Sequence, residues 1–259
     1  MSGEAVAYGV ASGVATITID REERRNAIDT ETAGAISSAL TRAEEDESIR
    51  VVVLTGAGER AFCAGGDLGG MPDAGPVQQH YLREELGALL SRMRASRLPT
   101  VARVNGQALA GGFGLMLACD LVVASSDAEM GTPEIDVGLW PFMITAVMQR
   151  DVPRKLALDL MLTGRRIDAE EAHRWGFVNR LVARAELDGA VEELCAQLAA
   201  KSPVIVELGK RSFYRAEDMS FDDALAYLSG MLTVCLGSED AVEGVTAFMQ
   251  KRPPQWKGR

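Results

Sequence analysis

The chain of 259 residues predicts an α/β fold with a parallel-sheet core and a C-terminal helical region. Three observations support this. Short apolar runs alternate with segments of helical spacing through the first half, strand signals fade from about Phe142 while helix caps multiply, and no internal repeat or low-complexity linker divides the chain.

The elements follow in order. Val14 to Asp20, VATITID, alternates Ile17 and Ile19 with Thr16 and Thr18, the period of a half-buried strand. Ile36, Leu40 and Ala43 then recur at helical spacing. RVVVLT, Arg50 to Thr55, is a continuous apolar run of the kind that lies inside a sheet. Leu82, Leu86, Leu89, Leu90 and Met93 mark a second amphipathic helix, closed by Pro99. Val101 to Val104 and Leu121 to Ala124 read as two more buried strands with a glycine-opened helix between them. In the second half, Asp168 and Glu171 form a capping box, Gly176 supplies a stop, Ser202-Pro203 breaks a helix and Ser220 caps another. The longest loop-like segment is GGDLGGMPDAGPV, Gly65 to about Val77.

Composition removes several function classes. A formal net charge of −10 offers no global attraction for phosphate backbones or anionic membranes, so neither nucleic acid nor membrane is expected as a partner. No apolar run approaches the roughly 20 residues that cross a bilayer. The N-terminal MSGEAVAYGV carries no basic-then-apolar leader, and the cytoplasm is the expected location. Cys63, Cys119, Cys195 and Cys235 form no C-x-x-C pair and read as reduced, mostly buried thiols. With only His80, placed before a helix, and His173, placed inside one, neither a histidine metal centre nor a Ser-His-Asp triad is expected.

The glycines carry the chemistry. GAGERA after RVVVLT matches G-x-G-x-x-A, the dinucleotide fingerprint, but no helix starts within it and the chain runs on into CAGGDLGG. ALAGGFGLMLACD, Ala108 to Asp120, opens an apolar helix with Gly111, Gly112 and Gly114, although glycine costs up to about 1 kcal/mol relative to alanine inside a helix. AFCAGGDL and ALAGGFGL each follow a buried strand, and each can leave a backbone N–H unshielded by a side chain. Two such groups about 3 Å from one oxygen form an oxyanion hole. A tight turn with close helix packing is the alternative reading of the same glycines.

AFCAGGDL, then VARVNGQALAGGFGLMLACDLVVAS, GTPEIDVGLWP and LTGRRIDAEEAHRWGFVNRLV, together resemble the crotonase superfamily, the enoyl-CoA hydratases and isomerases, over nearly the whole chain. The resemblance implies a ββα spiral core over residues 1–200, which binds acyl-CoA, and a C-terminal helical region over 201–259 for oligomerisation. It implies that the N–H groups of Gly66 and Gly111 polarise the carbonyl of an acyl-CoA thioester, and that Glu134 serves as acid and base. It places CoA near Arg24, Arg25, Ala64, Asp67 and Leu68. Family members are commonly trimers or dimers of trimers, so a homotrimer or homohexamer is implied, with no metal and no cofactor beyond the CoA of the substrate. The face of Phe221, Leu225, Leu228, Met231, Leu232 and Cys235 suits either docking or an internal core.

One departure matters. Typical family hydratases carry a second glutamate three positions after the second oxyanion glycine, where this chain has Gly114. Adding water across a double bond needs groups to hold water, remove a proton and deliver one, whereas moving a proton between two carbons needs a single base. Isomerisation of 3-enoyl-CoA to 2-enoyl-CoA is therefore favoured over hydration of 2-enoyl-CoA. An inactive acyl-CoA-binding scaffold is the alternative from another class. Gly114 also leaves open a roomier acyl site or a bound water. Asp120 reads as structural, bonding backbone N–H groups between helix and strand, and Asp136 as a neighbour of the pocket.

Overall fold

The computed structural model describes residues 5–67 and 76–259. Strands β1 (Val6–Ala11) and β2 (Val14–Ile19) form a hairpin, followed by helix α1 (Thr30–Glu45), β3 (Val51–Gly56), β4 (Ala61–Cys63), α2 (Pro76–Ala95), β5 (Thr100–Val104), β6 (Gln107–Leu109) and α3 (Gly111–Ala118). Next come β7 (Leu121–Ser125), β8 (Glu129–Gly131), α4 (Phe142–Asp151), α5 (Arg154–Thr163), β9 (Arg166–Asp168), α6 (Ala169–Arg174), β10 (Arg180–Val182), α7 (Leu187–Ala199), α8 (Pro203–Ala216), α9 (Phe221–Leu236) and α10 (Glu239–Gln250).

Among the described residues these strands make two sheets. The larger runs β1-β2-β3-β5-β7-β10, parallel except for the β1–β2 hairpin; the smaller runs β4-β6-β8-β9, parallel except at β8–β9. β3 and β5 hand the chain to the neighbouring sheet as β4 and β6, and α2 and α3 return it; β7 hands it on as β8, from which it returns to β10 through α4, α5, β9 and α6. This repeated ββα turn is the crotonase spiral. The apolar runs predicted as buried strands lie at its centre, with all six residues of β3 buried. Ile17, Ile36, Phe62, Leu89, Phe113 and Met116 share the same core.

Two features of this plan differ from the sequence reading. The second half is not purely helical: β10 pairs with β7 in the large sheet, and β9 closes the small one. These strands, like β4, β6 and β8, are three residues long, too short for any period to register. The hairpin partner β1 was likewise unmarked. Its two-residue turn places both Ser12 and Gly13 at positive φ, 51° and 77°, which suits the right-handed twist of the strands.

The corner between β3 and β4 is fastened by buried asparagines. Asn105 Nδ2 donates to Gly56 O (2.9 Å) and Gly58 O (2.7 Å), and Asn26 Nδ2 donates to Ala61 O (2.7 Å). GAGERA is thus a sheet-to-sheet corner and opens no helix, as a dinucleotide site would require. His80 falls inside α2 rather than before it. His173 lies within α6 as expected, with Nδ1 2.7 Å from Val178 O. The capping box of α6 is half formed: Asp168 accepts from Glu171 N, while the Glu171 carboxylate accepts from Arg165. Cys63, Cys119 and Cys195 are buried and unpaired.

Candidate active site

The register of the small sheet gathers the site. Cys63 of β4 aligns with Ala108 of β6, and Ala108 aligns with Met130 of β8. Three residues beyond Cys63 and Ala108 stand Gly66 and Gly111, and four beyond Met130 stands Glu134. All three leave the carboxyl ends of adjacent parallel strands, the edge where open parallel sheets present their chemistry.

Gly66 is held by an isolated bridge to Ile28. The bonds of that bridge run from Ile28 N to Gly65 O and from Asp67 N to Ile28 O, both 2.8 Å. Gly66, between those two residues, has its own N–H turned to the opposite side. Gly111 is the first residue of α3, so its N–H has no acceptor within the helix. A Cβ built on Gly111 would lie 3.8 Å from Gly66 N, which places the two peptide groups side by side. The wholly buried α3 has no side-chain cap, and its positive end therefore opens onto this space.

Close backbone approach explains the glycines. A Cβ on Gly112 would lie 2.1 Å from Cys63 O, and one on Gly65, at φ +105°, 2.7 Å from Ala110 Cβ. Ala110 itself holds φ 52°, ψ −126°, a conformation that L-residues rarely adopt. Its N–H donates to Gly131 O at 2.9 Å, so the small sheet imposes that backbone. Nothing in the sequence marked Ala110.

Glu134 lies in a 3-10 helix over Pro133–Val137 that follows β8. Its Oε2 is buried with no hydrogen-bond partner, as is Thr132 Oγ1. Burial raises the Glu134 carboxyl above the ordinary glutamate range, opposed by a backbone hydrogen bond within its own residue. A half-buried carboxylate with a raised pKa and one buried oxygen free of any partner is suited to taking a proton from a substrate and returning it. Asp136 turns elsewhere: a Cβ on Gly164 would lie 2.9 Å from its Oδ2.

The position one helical turn beyond Gly111 is closed. A Cβ on Gly114 would lie 2.2 Å from Ile144 Cγ2 and 2.8 Å from Ile144 Cβ. The space expected there for a bulkier acyl group or a water is occupied by the α4 side chain.

Of the residues expected around CoA, Arg24 and Asp67 bond each other at 2.6 Å, and Asp67 also receives Arg21 at 2.9 Å. The Arg24 hydrogen bond is the first cause that holds the Asp67 carboxyl below its ordinary range. Arg25 is exposed at φ 52°, and its carbonyl accepts from Ala64 N at 3.0 Å. Arg21, which the sequence reading passed over, is the more buried of the two arginines on Asp67. Leu68, with the other residues from 68 to 75, lies outside the described residues. Among the described residues no three His, Cys, Asp or Glu converge as metal ligands, and no helix is long and apolar enough to cross a membrane.

Asp120 is the centre of a structural network. Its carboxylate accepts from Thr100 N (2.6 Å), Tyr214 Oη (2.7 Å) and Lys210 Nζ (2.7 Å), which ties α8 to the end of α3 and the start of β5.

Comparison with solved structures gives a TM-score of 0.93 to an enoyl-CoA hydratase from Mycobacterium smegmatis at 33% identity, covering 97% of this chain and 98% of that one. A further match, at 0.92 and 34% identity, is enoyl-CoA hydratase subunit I from Geobacillus kaustophilus, covering 98% of both chains. The likeness defines the class: a crotonase fold. Residues 9–259 match the family model described as enoyl-CoA hydratase/isomerase, and the chain belongs to that family of enzymes acting on acyl-CoA. It is 36% identical to a carnitinyl-CoA dehydratase from Proteus mirabilis over 256 residues, 95% of each chain. It is 34% identical to a short-chain-enoyl-CoA hydratase from Clostridium acetobutylicum over 240 residues, 92% of each.

Proposed function

We propose that the enzyme isomerises 3-enoyl-CoA to 2-enoyl-CoA with Glu134 as its single acid and base. The carboxylate removes a proton from C2, the N–H groups of Gly66 and Gly111 hold the thioester enolate oxygen, and the same proton is delivered to C4. The double bond moves from C3–C4 to C2–C3, and no atom is gained or lost. The observation that carries this reading is Glu134 Oε2, buried and unbonded, combined with the absence of a carboxylate at Gly114.

Hydration of 2-enoyl-CoA is the second reading, favoured by relatives named as a hydratase and a dehydratase. Conversion of each substrate by the wild type and by Glu134→Gln discriminates. Migration lost in the variant supports isomerisation, 3-hydroxyacyl-CoA from the wild type supports hydration, and acyl-CoA binding without turnover identifies an inactive scaffold.

CoA is assigned to Arg24, Arg25, Ala64, Asp67 and Leu68, with Arg24 held on Asp67 and Arg25 exposed toward solvent. Substitution of both arginines by glutamine is expected to raise KM for acyl-CoA with little change in kcat. Residues 1–200 act as the acyl-CoA-binding core and 201–259 as the oligomerisation region of a homotrimer or homohexamer. In support, α9 buries none of its residues, and Phe221, Leu225 and Leu232 are more than half exposed. Leu228, Met231, Leu232 and Cys235 border a cavity of about 600 Å³ against α8. No cofactor beyond the CoA of the substrate is assigned. The cytoplasm is the proposed compartment, in keeping with unpaired buried thiols.

A further inference from the structure

We infer that Ile144 is a specificity-determining residue: its side chain fills the place of a second acid group and thereby restricts this site to proton transfer between carbons. The inference rests on the proposed placement of the thioester between Gly66, Gly111 and Glu134.

Gly114 lies one turn into α3 from Gly111, with Gly114 N bonded to Ala110 O at 3.1 Å. Any side chain at 114 must start at its Cβ, and that point is 2.2 Å from Ile144 Cγ2, 2.8 Å from Ile144 Cβ and 3.8 Å from Ile144 Cα. Rotation about χ1 moves Cγ2 but leaves Cβ in place. A side chain at 114 and a branched side chain at 144 therefore exclude each other unless α4 moves. Ile144 is itself only 2% exposed, packed within the central core. Displacing it outward would leave that packing unmatched.

The chain linking Ile144 to Glu134 is short and constrained. Leu139 N donates to Glu134 O at 3.0 Å, Gly138 closes the 3-10 helix at φ 75°, and Phe142 starts α4. The segment that presents Glu134 thus also delivers the side chain that occupies the place of a Cβ at Gly114. Ile144 offers no donor or acceptor there to hold a water or deliver a proton. Substrates of this site are accordingly enoyl thioesters that react without taking up water.

The test exchanges bulk across the α3–α4 contact. Melting temperature and products from 2-enoyl-CoA and 3-enoyl-CoA are measured for the wild type, Gly114→Glu, Ile144→Gly and the double variant. Gly114→Ala with and without Ile144→Gly reports packing alone. Overpacking in the Gly114 single variants is expected to lower the melting temperature by about 5 °C. The double variants should melt well above the sum of the two single effects. The ratio of 3-hydroxyacyl-CoA to isomer should rise about 100-fold in Gly114→Glu/Ile144→Gly and stay at the wild-type value in Gly114→Glu, since a positioned general acid contributes about 100-fold or more.

Additive melting changes overturn the inference. So does hydration by Gly114→Glu alone at the rate of the double variant, or a double variant that recovers its melting temperature without hydrating. Efficient hydration by the wild type overturns this inference together with the proposed reaction. A wild type that converts neither substrate refutes the proposed reaction alone, and the coupling between 114 and 144 in melting, with hydration gained only in the double variant, then judges Ile144.

Discussion

Replacing Gly112 with alanine places a methyl carbon 2.1 Å from Cys63 O and 2.7 Å from Cys63 C and Cβ. Two of those atoms are backbone, in a buried strand of the small sheet, and no side-chain rotation relieves the contact. Reaching the 3.4 Å of ordinary contact requires β4 and α3 to separate by roughly 1.3 Å. Gly66 follows β4 and Gly111 opens α3, so the same displacement pulls the two N–H groups apart. Oxyanion donors act at about 2.7 to 3.1 Å, and a misplacement of about 1 Å costs on the order of 100-fold in rate. Gly112→Ala should therefore lose about 100-fold in kcat for 3-enoyl-CoA and about 1 to 3 kcal/mol of stability. The control is Gly111→Ala, whose methyl meets nothing closer than Leu86 Cδ2 at 3.4 Å and should leave the melting temperature near that of the wild type. Thermal melting of both variants and turnover of Gly112→Ala decide the point. A Gly112→Ala enzyme with undiminished kcat would refute the pairing of the two glycine turns.

Other predictions concern charge and strain. Ala110→Gly removes the cost of a positive φ on alanine, about 1 to 3 kcal/mol, against about 0.5 to 1 kcal/mol of added chain entropy, so a higher melting temperature is expected. Asp120→Ala strands Lys210, whose side chain is 9% exposed, and should cost about 3 kcal/mol or more, visible as a melting temperature lower by roughly 6 to 12 °C. Because the folded carboxyl of Glu134 is raised, kcat/KM of the wild type should fall with decreasing pH at an acid limb above the ordinary glutamate value, and a pH–rate profile without such a limb would count against Glu134 as the base. The sign for stability is opposite: the folded state keeps this proton to higher pH than the unfolded chain, so stability declines as pH rises through the window above 4.5. Glu134→Gln should be at least as stable as the wild type at pH 7 by thermal melting.

The strands that carry the large sheet were legible because burial on both faces writes itself as an uninterrupted apolar run, as in Val51–Gly56 and Leu121–Ser125. The small sheet was not legible from periodicity, since strands such as Ala61–Cys63 and Glu129–Gly131 span less than two full alternations. Yet that sheet sets in register the strand ends that Gly66, Gly111 and Glu134 follow. The motifs single out these residues, while the alignment of the strands before them is a property of register. Asn26, Asn105 and Arg21 gave no signal because asparagine ordinarily marks a turn and arginine a surface, and only the fold shows them bonded inside corners. Ile144 was invisible for a further reason. The lost side chain at Gly114 is evident in the sequence, but what fills its place is decided by how α4 crosses α3.

The most direct test of one-base isomerisation follows a single proton. A 3-enoyl-CoA deuterated at C2, converted in H2O and followed by NMR, should give 2-enoyl-CoA with part of the deuterium at C4, and Glu134→Gln should give none of this product. Turnover that persists in Glu134→Gln, or 3-hydroxyacyl-CoA as the main product of the wild type, would contradict the account.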